Sequence, residues 1–284
     1  MQLPRGVPSR AAAVHPGHPL PCGERAGRGV GGPATVKALL VDLDDTLLDY
    51  SGGVDECWRE AAGLAAPAGM DPDALVAAIA QTRRWFWGDP ERHRQERADM
   101  LGAWRKIAAH ALASVGRPSD DLADSIAEGF AALRWQGMRL FPGVPATLEV
   151  LRERGVGLAL VTNGDTSHQR RKIEEQGLAH FFDVILIEGE FGVGKPHESV
   201  YRHALGALAA RPEGAWMVGD NLEWDVAAPQ RLGLRGVWVD VQGSGLPAAV
   251  PIKPDRIIRA FPELLEDSEE TPSPQPSTQR GEGG

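Results

Sequence analysis

The chain has 284 residues, with 30 Lys and Arg against 39 Asp and Glu and a formal charge of -9. That length can bury one large core or two smaller ones, and the acidic balance argues against a nucleic-acid polymer as partner. Two cysteines without a CxxC pair, Cys22 and Cys57, argue against a disulfide scaffold or a Cys-based zinc site and fit a reducing, cytoplasmic setting; no run approaches the roughly 18 apolar residues of a membrane span.

Residues 1–34 are rich in Gly, Pro and Arg and lack apolar periodicity, which predicts a disordered extension. They also lack the apolar middle of a secretory signal. The natural beginning reads as "VKALLVDLDDT", with Val36 as an alternative start. From Val36 to Val41 an apolar run predicts a buried strand that ends in Asp42, Asp44 and Asp45. Residues 51–137 form a helical block with no strong strand: Asp73–Trp87, Arg97–Val115 and Ser119–Gln136 have helical spacing. Alternation of helix and strand then begins. Helices are expected at Pro145–Arg154, Thr166–Gln176, Pro196–Ala209 and Val226–Leu232, and strands at Val156–Val161, Phe182–Ile187, Ala215–Val218 and Gly236–Val239. The expected fold is therefore α/β: a Rossmann-like parallel sheet core from residues 35–50 and 138–266, with a helical insertion at 51–137. Residues 267–284, "DSEETPSPQPSTQRGEGG", read as a second disordered tail.

In such sheets the chemistry sits beyond the carboxyl ends of the strands. The predicted strand ends carry Asp42 and Asp44, then Thr162 and Asn163, then Asp220 with Asp225; the loop after the remaining strand leads to Lys195. Isolated carboxylates at a buried strand end would cost several kcal/mol or take up protons. Clustered, they suit a hard divalent cation such as Mg²⁺, which takes oxygen ligands and commonly bridges to phosphate. An Asp beside such a cation can act as nucleophile, and a second carboxyl two residues on as general acid and base. A hydroxyl and an ammonium would stabilise a transferring phosphoryl group.

The stretches "DLDDT", "VTNG", "GKP" and "GDNLEWD" resemble, in order and spacing, the four motifs of haloacid dehalogenase-like hydrolases, over about residues 36–262. The resemblance implies a helical cap between the first two motifs and hydrolysis of a small phosphorylated metabolite. Asp42 would be the nucleophile and Asp44 the general acid/base. Thr162, Asn163 and Lys195 would bind the phosphoryl group, with Lys195 also pairing Asp42. Asp42, Asp220 and the Asp44 backbone carbonyl would hold Mg²⁺, with Asp225 close behind. Ala228–Pro229 stands where relatives often have Gly–Ala, which touches only the start of the following helix. Dehalogenases of the family lack the second Asp of the first motif, so Asp44 favours phosphate esters.

Rival readings remain at this stage: a phosphotransferase or mutase, a 2-haloacid dehalogenase, and a non-catalytic Mg²⁺- or phosphate-binding regulator. The chain could be a monomer or a homodimer. Asp45 is expected to be structural or solvent-facing, Cys57 buried, and the run Arg170–Lys172 a solvated helix face. Two further patterns mislead. "GEFGVGKP" ends in Pro where a P-loop needs Ser or Thr, and "GRGVGG" precedes the strand it would have to follow. "RRWFWGDPERHRQER", residues 83–97, has two readings: a cap core with a charged outer face, or a substrate loop in which Trp87, His93 or Arg94 grips the leaving group.

Overall fold

The computed structural model describes residues 36–266 except 249; both predicted tails, and Cys22, lie outside that range. Among the described residues six strands run: β1 Ala38–Val41, β2 Gly157–Thr162, β3 Val184–Ile187, β4 Ala215–Gly219, β5 Arg235–Val239 and β6 Arg256–Ile258. All are parallel, in the order β3-β2-β1-β4-β5-β6. The chain therefore leaves the central strand β1 in one direction and returns to its other side at β4. In an open α/β sheet the crevice beyond that reversal is where ligands bind.

Strand side chains alternate between the two faces of a sheet. Leu39 and Val41 accordingly join one buried cluster with Leu158 and Leu160, while Ala38 and Leu40 join another with Ala159 and Val161. With helices on both sides, neither face of β1 meets water, which explains the unbroken apolar run before Asp42.

Between β1 and β2 lie α1 Val54–Ala65, α2 Pro72–Trp87, α3 Pro90–Glu96, α4 Met100–Ser114, α5 Asp120–Gly137 and α6 Val144–Glu153. The first, second, fourth and fifth of these enclose a cluster of their own, including Trp58, Ile79, Trp104, Ile107, Ile126 and Phe130. Trp58 stacks on Phe130 with ring centroids 3.9 Å apart. The predicted helix at 97–115 begins later, at Met100, because Asp99 caps it by accepting from the Gly102 N–H. The separate α3 starts where Asp89 caps and Pro90 takes the first turn, where its missing N–H is not needed.

The remaining helices are α7 Thr166–Glu175, α8 Glu188–Phe191, α9 Glu198–Ala207 and α10 Ala228–Gln230. Pro196 does not open α9: the Lys195–Pro196 peptide is cis, and His197 is the cap residue. The predicted helix at 226–232 is instead a π-helical turn over Leu222–Ala227 that runs into α10. β6 was not expected, since three residues carry no usable alternation.

Candidate active site

The floor of the site starts from sheet register. Val41, the last residue of β1, lies beside Leu160 of β2 and Val218 of β4, so β2 and β4 run on past it to Thr162 and Gly219 and flank the point where Asp42 emerges. The Asp42 N–H still donates to the Val218 carbonyl at 2.9 Å, which fixes Asp42 as the first residue past the strand. Lys195 reaches it from the loop beyond β3. Its Nζ donates to Asp42 Oδ1 at 2.6 Å and to Asp225 Oδ1 at 2.7 Å, and the side chain is 1% exposed. Asp225 sits in the π-helical turn, where its other oxygen accepts from the Asn221 N–H at 3.0 Å. Gly219, just before Asp220, allows this approach: a Cβ there would lie 2.3 Å from the Asp225 carboxyl carbon.

Asp42, Asp220 and Asp225 each bring a carboxylate oxygen within 4.8 Å of the others. Burial pushes the Asp42 carboxyl up to about 7 against the pull of Lys195. Asp220 is pushed up to about 8 by burial, then by Asp42 and Asp225. Burial alone would lower Lys195, but Asp225 and Asp42 outweigh it and hold the ammonium above its ordinary range. Three carboxylates thus face one ammonium, an excess of negative charge that an all-oxygen donor set can relieve by taking a hard dication.

Asp44 points into the same cavity but away from Lys195. Both its oxygens lie 2.8 Å from Lys172 Nζ, and Gln169 Nε2 donates to one of them at 3.1 Å. Gln169 also donates to Thr162 Oγ1 at 2.6 Å. Asp45 is structural, as expected: it takes φ 57°, and its carboxylate accepts from the N–H groups of Tyr50 and Ser51 at 3.1 and 2.6 Å.

The Asn163 side chain accepts from the Lys195 N–H at 2.8 Å and donates to the Lys195 carbonyl at 2.7 Å, so it holds the lysine loop at the edge of the cavity it also lines. The structure corrects other expectations. Lys172 is not part of a solvated face. Arg170 and Arg171 pair outward with Glu190 and Glu175, but Lys172 turns in to Asp44. Cys57 is only half-buried.

Asp42, Asp44, Thr162, Asn163, Lys195, Asp220 and Asp225 all line one cavity of about 410 Å³. Its opposite wall comes from the helical block, and there Trp87 and His93 both line it, in edge contact at 5.4 Å. Arg94 does not. It lies on the outer face, where Nε and Nη2 bond Glu91 at 3.1 and 2.6 Å. Arg97 turns inward instead: Nη2 donates to Glu188 Oε1 at 2.5 Å, and its guanidinium lies 5.2 Å from the Trp224 ring centre. Arg97, Trp224, Gln169 and Lys172 were missed from sequence. For the last two a signal existed, since Gln169, Lys172 and Ile173 share the i, i+3, i+4 face that α7 buries.

A parallel sheet whose strand order reverses at β1, with carboxylates and a lysine converging past its strand ends, defines the polar crevice of a doubly wound α/β protein. A model of the haloacid dehalogenase-like hydrolase family matches residues 36–233, and the chain belongs to that family. It is 35% identical over 223 residues to phosphoserine phosphatase of Thermus thermophilus, covering 72% of this chain and 89% of the relative. It is 37% identical over 209 residues to ribulose-1,5-bisphosphate 5-phosphatase of Halopiger xanaduensis, covering 72% and 84%. Glyceraldehyde 3-phosphate phosphatase of Methanopyrus kandleri is 30% identical over 217 residues, covering 73% and 88%. Among solved structures, 2-haloacid dehalogenase from Pseudomonas syringae shares 28% identity at a TM-score of 0.54, covering 82% and 97%. A HAD-hydrolase from Bacillus subtilis bound to magnesium shares the fold at a TM-score of 0.63 and 21% identity, covering 81% and 97%.

Proposed function

We propose that the protein is a Mg²⁺-dependent phosphatase acting on a small phosphorylated metabolite through an aspartyl phosphate at Asp42. The observation that carries this reading is the pair of carboxyls two residues apart in one cavity: Asp42 beside Lys195 and the acidic cluster, Asp44 outside that cluster. Asp42 can attack phosphorus while Asp44 protonates the departing ester oxygen as the P–O bond breaks. Asp44 then takes a proton from the water that hydrolyses the aspartyl phosphate. Lys195 and the Thr162 hydroxyl bind the phosphoryl oxygens. Asp42, Asp220, Asp225 and the Asp44 carbonyl are the residues that would hold Mg²⁺, which supplies positive charge to keep Asp42 ionised and to offset charge on the phosphoryl group.

On this reading residues 51–137 are a cap over the crevice, with Trp87, His93 and Arg97 facing the leaving group. Burial and Arg97 hold the His93 imidazole below its ordinary range. Phosphoserine, a triose phosphate and a pentulose bisphosphate appear in the names of three similar phosphatases; that range supports a small ester without choosing one. No described helix is long and apolar enough to cross a membrane. Dehalogenase neighbours share the fold, but Asp44 has no part in attack on carbon and favours the phosphatase. The test is phosphate release from a panel of small esters with Mg²⁺ or with EDTA. Release that stops on chelation is expected; EDTA-resistant release, or none from folded, Mg²⁺-loaded protein, would overturn the reading.

A further inference from the structure

Lys172 and Gln169 take no part in the chemistry above, yet both are buried against Asp44. Lys172 is 4% exposed, and its Nζ sits 3.9 Å from the Tyr50 ring centre as well as 2.8 Å from each Asp44 oxygen. Gln169 lies one turn earlier on the same face of α7 and ties Asp44 to Thr162. A lysine withdrawn from water this far needs a compensating partner. Among the described residues its ion pair is with Asp44 alone, so the two side chains are oriented by each other.

We infer that Lys172 and Gln169 are positioning residues that hold the Asp44 carboxyl in the orientation from which it gives its proton to the leaving group. The inference rests on the phosphatase reading. As the bond from Asp42 to phosphorus forms, the ester P–O bond breaks and the Asp44 proton passes to the ester oxygen. The Asp44 carboxylate left behind is met by the Lys172 ammonium and the Gln169 amide. Water then attacks phosphorus and gives a proton to Asp44, the bond from Asp42 to phosphorus breaks, and inorganic phosphate departs. The lysine therefore stabilises the charge that appears as the proton leaves and keeps the carboxyl from swinging out of line.

The test compares leaving groups. The ratio kcat/KM is measured on p-nitrophenyl phosphate and on the alkyl phosphate that the wild type hydrolyses best. Nitrophenolate departs with little help from an acid, whereas an alkoxide needs the proton. Lys172→Met is expected to lower kcat/KM on the alkyl ester about 100-fold, the usual range for general acid catalysis, and on p-nitrophenyl phosphate less than about fivefold. Lys172→Arg keeps the charge and should recover part of the alkyl activity. Gln169→Leu leaves the ion pair intact and should show the same bias to a smaller degree, which serves if Lys172→Met does not fold. Equal losses on both esters, or no loss on either, would overturn the inference. A wild type that hydrolyses neither ester would remove the phosphatase reading first, and this inference with it.

Discussion

Lys195 and Asp42 stand 153 positions apart in sequence and 2.6 Å apart in space. The lysine also bridges to Asp225, so one buried ammonium holds the ends of two strands' loops together. Removing one partner of such a pair leaves uncompensated buried charge, at a cost of about 3–5 kcal/mol. Lys195→Met should therefore lose that much stability in denaturant unfolding as well as all measurable turnover. Lys195→Arg should not restore turnover, because a planar guanidinium cannot replace a compact ammonium in this space.

The acidic cluster predicts a pH-dependent response to metal. Asp42 and Asp220 are raised from 3.8 to about 7 and about 8 in the folded protein. Between about pH 4 and 8 the folded state therefore keeps protons that the unfolded state has lost. Stability of the metal-free protein must fall as pH rises through that window. Mg²⁺ has to displace the same protons, so its stabilising effect should be larger at about pH 8 than at about pH 5.5. Thermal unfolding in EDTA and in Mg²⁺ at both pH values checks the sign.

Arg97 and Glu188 join the helical block to the core at 2.5 Å. Glu188 also accepts from the Gly164 N–H at 2.9 Å, next to Thr162 and Asn163. Arg97→Ala should loosen closure over the substrate and raise KM about tenfold, equal to about 1.4 kcal/mol. Glu188→Gln, which can still accept from Gly164, should have a smaller effect. Steady-state kinetics on the best ester measures both.

Much of this site was legible because it follows from strand ends. Asp42, Thr162 and Asp220 each follow an apolar run whose residues are buried on both faces, and that pattern is strong in sequence. Lys195 was legible only through its motif, since nothing in a single lysine before a proline announces burial. The sequence offers Arg94 as a gripping residue, but the caps at Asp89 and Asp99 bound a short α3 on whose outer side Arg94 pairs with Glu91, while Arg97, just past that helix, turns in to Glu188. Lys172 reads as solvated because it follows two arginines, although its i+1 neighbour Ile173 marks the buried side of the same helix. The strand end and the VTNG motif point Asn163 to the phosphoryl group; its side-chain bonds to the Lys195 backbone involve a loop 32 positions away, which no local pattern shows. β6 is too short to show a period at all.

The most direct test of the central claim is a single-turnover reaction with the best ester, quenched in acid and digested for mass spectrometry. A phosphorylated peptide whose modified residue is Asp42 is expected, accumulating in Asp44→Asn, where its hydrolysis is slowed, and absent from Asp42→Asn. Phosphate released by the wild type with no phosphopeptide in the Asp44→Asn variant, or with the label on another residue, would contradict it.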